Sequence, residues 1–150
     1  MLVLTFEVDG SPYAVPVIKV VEVVPRVALR PLPHAPDCFL GLLRYRGEAV
    51  PVVDLGLLMG RTACRDRLDT RILLVRREAA GAGGHLGLLA ERVNELAEVD
   101  PGRTALPPSF LLDAPYLGPV FETPTGLLQL IDPGRIAVAG VAEVGRAIEP

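Results

Sequence analysis

Two serines (Ser11, Ser109), two histidines (His34, His85) and two cysteines (Cys38, Cys64) make up the chain's whole stock of those residues. Any nucleophile, general base or soft metal site must draw on these six and the carboxylates. Acyl transfer at an exposed serine needs the glycine-flanked turn that lifts the hydroxyl out of its sheet, and neither serine has those glycines. Both histidines stand beside loop residues and read as exposed or loop side chains. Asp54 ends an apolar run, Val53-Asp54-Leu55-Gly56, as the acid of an aspartic protease would. That chemistry needs a hydroxyl residue after the Asp, where Leu55 stands here, so Asp54 is expected to be a turn residue or an acceptor for a nearby backbone N–H. Gly81-Ala82-Gly83-Gly84 lacks the Gly-Lys-Ser/Thr ending of a phosphate loop and reads as a hairpin tip. The cysteines and histidines have no metal-ligand spacing. These residues predict no enzyme, no cofactor and no metal, with both cysteines reduced in a cytoplasmic protein.

The elements that must carry these residues are limited by composition. The chain has 150 residues, 50% hydrophobic and 22% charged, which suits one domain over 1–150 with a core that needs no disulfide. Glycine and proline number 15 each and are spread along the chain, punctuating many short elements. A net charge of −3 gives no general attraction for nucleic acid or anionic lipid. The arginines at 61, 65, 67, 71, 76 and 77 form a local basic stretch, but residues 61–90 have no aromatic side chain on which bases could stack. That stretch reads as a solvated loop. No signal-like leader and no 18-residue apolar run occur, so no membrane insertion is expected.

Leu2, Leu4, Phe6 and Val8 alternate with polar residues up to Asp9-Gly10, a strand and its turn. Tyr13–Val24 is Val- and Ile-rich and contains prolines, which predicts two strand pieces with a break near Val17–Val20. Val27 and Leu29 alternate with arginines before Pro31. Asp37–Leu43 reads as one helical turn or a tight bend. Ala49–Leu55 reads as a strand with Pro51 at an edge or bulge, and Ile72–Val75 as another. In 85–99, Leu86, Leu89, Val93 and Leu96 fall at helical spacing among good helix formers. Asp100-Pro101-Gly102 and Pro107-Pro108 are breaks and Pro115–Val120 is a turn-rich approach. Leu127–Ile131 is a strand closed by Asp132-Pro133-Gly134, and Ile136–Ile148 a possible terminal helix. Many short strands with little helix predict an all-β barrel or a pair of barrels.

Arg46-Gly47 followed by Val50-Pro51-Val52-Val53-Asp54-Leu55 resembles the signature of the CheW family, adaptors of bacterial chemosensory arrays. Further pieces stand in register: Tyr13–Val17, Val20–Val24, Leu32–Pro36, Gly41–Leu43, Ile72–Val75, Leu86–Val93 and Leu127–Asp132. The chain departs from the family pattern at Ala90-Glu91, at Tyr116–Val120, and at Asp132-Pro133-Gly134. Tyr45-Arg46-Gly47 and Tyr116–Val120 also resemble the short adaptors of Wsp-type surface-sensing systems. The resemblance implies two five-stranded SH3-like barrels packed side by side. It also implies a strand, not a helix, over 86–93, where Gly87 suits close backbone approach. It further implies a non-catalytic adaptor between methyl-accepting receptors and the CheW-like regulatory domain of a CheA-type histidine kinase. Receptor-facing positions would be Val20, Glu22, Gly41, Arg46 and Gly87. A structural alternative for Arg46 is a brace on Asp54 or Glu48. The alternative function is a small nucleic-acid-binding barrel.

Overall fold

The computed structural model describes residues 1–77, 84–106 and 114–136. The expected tip at 81–84 apart from Gly84, the Pro107-Pro108 break, and the expected terminal helix beyond Ile136 lie outside them. Ten strands follow in order: β1 Leu2–Val8, β2 Ser11–Pro16, β3 Val20–Pro25, β4 Phe39–Tyr45, β5 Glu48–Asp54, β6 Arg71–Arg76, β7 His85–Glu98, β8 Thr104–Leu106, β9 Leu117–Thr123 and β10 Gly126–Ile131. One helical turn, α1 (Leu55–Leu58), follows β5, and 3-10 turns occupy Val17–Lys19 and Pro133–Arg135. The break expected at Val17–Val20 is the first of these turns.

All-β architecture in two halves is observed. In the first half the strands lie in the order β3-β6-β7-β5-β4; in the second they run β7-β1-β2-β10-β9-β8. Among the described residues the ladder stays open instead of closing hydrogen bond by hydrogen bond into two barrels. β7 belongs to both halves: His85–Ala90 pairs with β6, its Gly87–Leu89 also with β5, and Glu91–Glu98 pairs with β1. Its 14 residues span about 46 Å at the usual strand rise. The helical spacing within it is therefore coincidental. Leu86, Leu88 and Ala90 face the seam between the halves and Leu89 the first half's interior, while Leu96 is 63% exposed. Both faces of Leu86–Ala90 are covered, which produces the continuous apolar run of a central strand.

A bulge marks the crossing point. Thr5 pairs with Glu95 and Glu7 with Glu91, so three β7 residues oppose Phe6 alone, and Arg92 takes a φ of +50°. Val93 donates its N–H to the Asp69 carbonyl (3.0 Å) and accepts from the Arg71 guanidinium (2.8 Å). The bulged backbone is thereby satisfied by the arginine-rich loop.

Three apolar clusters follow from strand alternation. Leu4, Phe6 and Val8 of β1 join Val53, Leu73, Val75, Leu86 and Leu88 in the seam. Val50, Val52, Ile72, Leu74 and Leu89 fill the first half, and Val3, Ala14, Phe121, Leu128 and Leu130 the second. Leu2, at the strand's end, is 42% exposed.

Three local expectations are corrected. Asp37–Leu43 is not a helical turn; most of it is strand β4, bent by a register shift between Phe39 and Gly41. Pro115–Val120 is a turn only to Tyr116, with β9 beginning at Leu117. Val27 and Leu29 lie in no strand, and the segment touches the sheet through one bridge, Arg30 to Leu42. That bridge explains Pro51. Leu42 turns its N–H and C=O away from β5 to Arg30 (2.8 and 3.0 Å). Its partner Pro51 therefore aims its missing donor away from β4, just before β7 joins at Val52.

Candidate docking surface

The five expected receptor-facing positions all lie in the first half. Glu22 pairs with Leu74, Leu74 with Gly87, Gly87 with Val52, and Val52 with Gly41. Three of the five thus share one row across five strands, and Val20 stands at the start of β3 opposite Val75. Glu22 is exposed and Val20 half-buried.

The two glycines present no surface. A Cβ on Gly87 would lie 2.8 Å from Val52 Cγ2 and 3.1 Å from Ile72 Cγ2, inside the first half's core. A Cβ on Gly41 would lie 2.7 Å from the Arg30 carbonyl oxygen, and its φ is +148°. Absence of a side chain lets the Arg30 backbone close against β4. Any part these two positions take in docking is exerted through the shape of the sheet.

Arg46 stands apart from the row, at the tip of the β4–β5 hairpin. Tyr45 and Glu48 form the last pair, leaving Arg46 (φ +48°) and Gly47 (φ +80°) as a two-residue turn. Two positive φ values define the type I′ turn, which suits the right-handed twist of a hairpin. Gly47 fits at no steric cost, whereas an arginine in the left-handed region costs about 1–2 kcal/mol. The β1–β2 turn, Asp9-Gly10 (φ +49° and +79°), uses a favoured pair for the same geometry. Arg46 is exposed, and its Cζ lies 5.2 Å from the centroid of the Tyr45 ring.

Neither partner proposed for a bracing arginine engages it. Glu48 Oε2 lies 2.9 Å from His85 Nδ1. Asp54 is buried and accepts backbone N–H groups from Leu57 (3.2 Å) and Cys64 (3.0 Å), the role expected from its sequence context. It caps α1 and pins the following loop. Burial, helped by the nearby Asp54 carboxylate, pushes the Cys64 thiol up to about 12. Cys64 Sγ donates to the Leu89 carbonyl (3.4 Å). Burial raises Cys38 as well, and both cysteines are free.

His85 corrects another expectation. It opens β7, half-buried, with its ring edge-on to Tyr45 at 6.2 Å between centroids and 67° between planes. The parallel pairing of β5 with the strand that His85 begins places it beside the hairpin. Elsewhere, a groove of about 480 Å3 lies in the second half, lined by Glu7, Arg92, Glu95, Glu98, Thr123 and Leu127 among others; no histidine or cysteine lines it. Among the described residues no group of three His, Cys, Asp or Glu side chains is placed to hold a metal. No described helix is long and apolar enough to cross a membrane.

Two β halves that share a strand and pack over a common seam make up the fold. It is similar to the crystal structure of scaffolding protein TtCheW from Thermoanaerobacter tengcongensis, with a TM-score of 0.75 at 24% identity over 87% of each chain. Residues 2–140 match the CheW-like domain, and the chain belongs to that family. Among curated relatives, the chemotaxis protein CheW of Helicobacter pylori is 30% identical over 97 residues, 64% of this chain and 59% of that one. The chemotaxis protein CheW of Rhizobium meliloti is 26% identical over 96 residues, with the same shares. The aligned part therefore spans about three-fifths of these relatives' length.

Proposed function

We propose that this chain is a non-catalytic adaptor of the bacterial cytoplasm that couples methyl-accepting receptors to a CheA-type histidine kinase. Family membership supports the class of function. The observation that carries the docking reading is Arg46: an arginine held in the left-handed region at an exposed hairpin tip, where asparagine or glycine would fold more easily. Strain retained at an exposed cation is expected where that cation is used; the other exposed arginine with positive φ among the described residues, Arg92, is accounted for by the β7 bulge and its pairing with Glu7.

The receptor tip is helical, and a fixed guanidinium beside apolar surface can pair with a helix carboxylate through a two-pronged contact. In this reading Val20 supplies apolar contact and Glu22 and Arg46 supply charge. Gly41 and Gly87 set the backbone beneath them. The kinase's regulatory domain is bound elsewhere, through apolar surface at the end of one half.

Arg46→Ala tests the reading. It is expected to weaken binding to a soluble receptor hairpin by about 2 kcal/mol or more, roughly 30-fold, with kinase binding and melting temperature nearly unchanged. Arg46→Lys recovers little, because a point charge does not reproduce the fork. A large stability loss with receptor binding proportionally intact makes Arg46 structural and refutes its docking role.

A further inference from the structure

We infer that Tyr45 is a positioning residue for Arg46, held in turn by His85 and Glu48, so that the docking cation is one member of a four-residue assembly. The inference rests on the docking reading above.

Three strands meet at this point. Tyr45 ends β4, Glu48 begins β5 as its cross-strand partner, and His85 begins β7. The half-buried Tyr45 ring packs against the first half's core. Its ring carries the Arg46 guanidinium at 5.2 Å, a cation–π distance. The His85 ring meets it edge-on, and His85 Nδ1 is fixed at 2.9 Å from Glu48 Oε2. A flexible arginine chain resting on a ring that the core and two neighbours immobilise has less conformational freedom to lose on docking. The hairpin backbone sets where Arg46 leaves the surface, and the ring sets where its charge sits. The partner fitting this arrangement is a carboxylate on a helix, met by an already oriented fork.

Tyr45→Leu removes the ring and keeps apolar bulk against the core. It should weaken affinity for a soluble receptor hairpin about two- to fivefold, the range for an exposed cation–π contact. Tyr45→Phe keeps the ring and should bind like the parent. His85→Leu should weaken binding in the same direction by less.

Because Tyr45 acts through Arg46, Tyr45→Leu should change affinity less than about 1.5-fold in an Arg46→Ala background. The experiment is this double-mutant cycle by titration calorimetry on the full chain, together with proton NMR of the Arg46 side chain. Ring-current shifts at the Arg46 δ protons should be present in the parent and in Tyr45→Phe and vanish in Tyr45→Leu. Absence of such shifts in the parent, or an undiminished loss in the Arg46→Ala background, overturns the inference. A parent that shows the shifts but binds no receptor hairpin refutes the docking reading while leaving the ring's hold on Arg46 intact.

Discussion

Replacing Gly87 by alanine separates a buried role from a contact role at a position the family resemblance assigns to the receptor. The added Cβ meets Val52 Cγ2 at 2.8 Å and Ile72 Cγ2 at 3.1 Å, well inside ordinary contact distance. Both neighbours are β-branched and stiff about χ1. Relief requires one to leave its rotamer or the sheet to spread, and overpacking of this kind costs about 1–3 kcal/mol. With an unfolding entropy of about 2.1 cal/mol/K per residue over this length, a loss of about 2 kcal/mol lowers the melting temperature by roughly 6 °C. Gly87→Val should lose more. Circular dichroism melts supply the stability readout, and affinity for a soluble receptor hairpin is then measured well below the transition, where the variant is folded. The expected result is a melting point several degrees lower with receptor affinity within about threefold of the parent, the residue acting only through sheet shape. An unchanged melting point with affinity reduced tenfold or more refutes the buried assignment, because only a residue reached by the receptor behaves that way.

Arg46→Asn relieves the left-handed strain and should gain about 1 kcal/mol, raising the melting temperature by about 3 °C while losing receptor binding as Arg46→Ala does; a melting point at or below the parent's contradicts the strain argument. Asp54→Ala orphans the Leu57 and Cys64 amides and should cost roughly 3 kcal/mol by denaturant titration. The raised Cys64 value favours the protonated thiol in the folded state, so its contribution is full below the ordinary 9.0 and is lost as pH climbs toward 12. Alkylation of Cys64 at pH 8 should therefore proceed only at the rate of unfolding, and rapid labelling of folded protein would contradict this. Binding to the kinase's regulatory domain should fall little between low and moderate salt, since a net charge of −3 offers weak steering and the interface centre is apolar; loss of most affinity, followed by calorimetry across salt, would count against it.

Where alternation and turn residues agreed, the fold was readable from the residues. β1, the break between β2 and β3, β5 with its proline, and β10 with its Asp132 stop lie close to where their patterns put them. Asp54 was readable too, because an acid after an apolar strand with no hydroxyl beside it has few other uses. The pattern failed where backbone irregularity interrupts it. Gly41's register shift broke the alternation of β4, and burial of both faces of Leu86–Ala90 removed alternation from β7, so that a coincidental helical spacing stood out. His85 was not legible for a different reason: its neighbours in sequence are loop-like, whereas Glu48 and Tyr45 come from the two strands of a hairpin 37 and 40 residues earlier. The proposed docking row was half legible. Its positions were named, but that Gly41 and Gly87 are buried emerges only once Arg30, Val52 and Ile72 are folded against them.

The shared strand has a consequence for how such a molecule can change over generations. Domains joined by a linker can be exchanged by recombination at the join. Here the join is the middle of a strand, and a crossover at Arg92 would give each half a β7 segment shaped for another partner's ladder. The amides of Val93 and the residues pairing with β1 would lose the neighbours that satisfy them. Exchange of one half for another is thereby costlier than point substitution or a change of loop length at a hairpin tip.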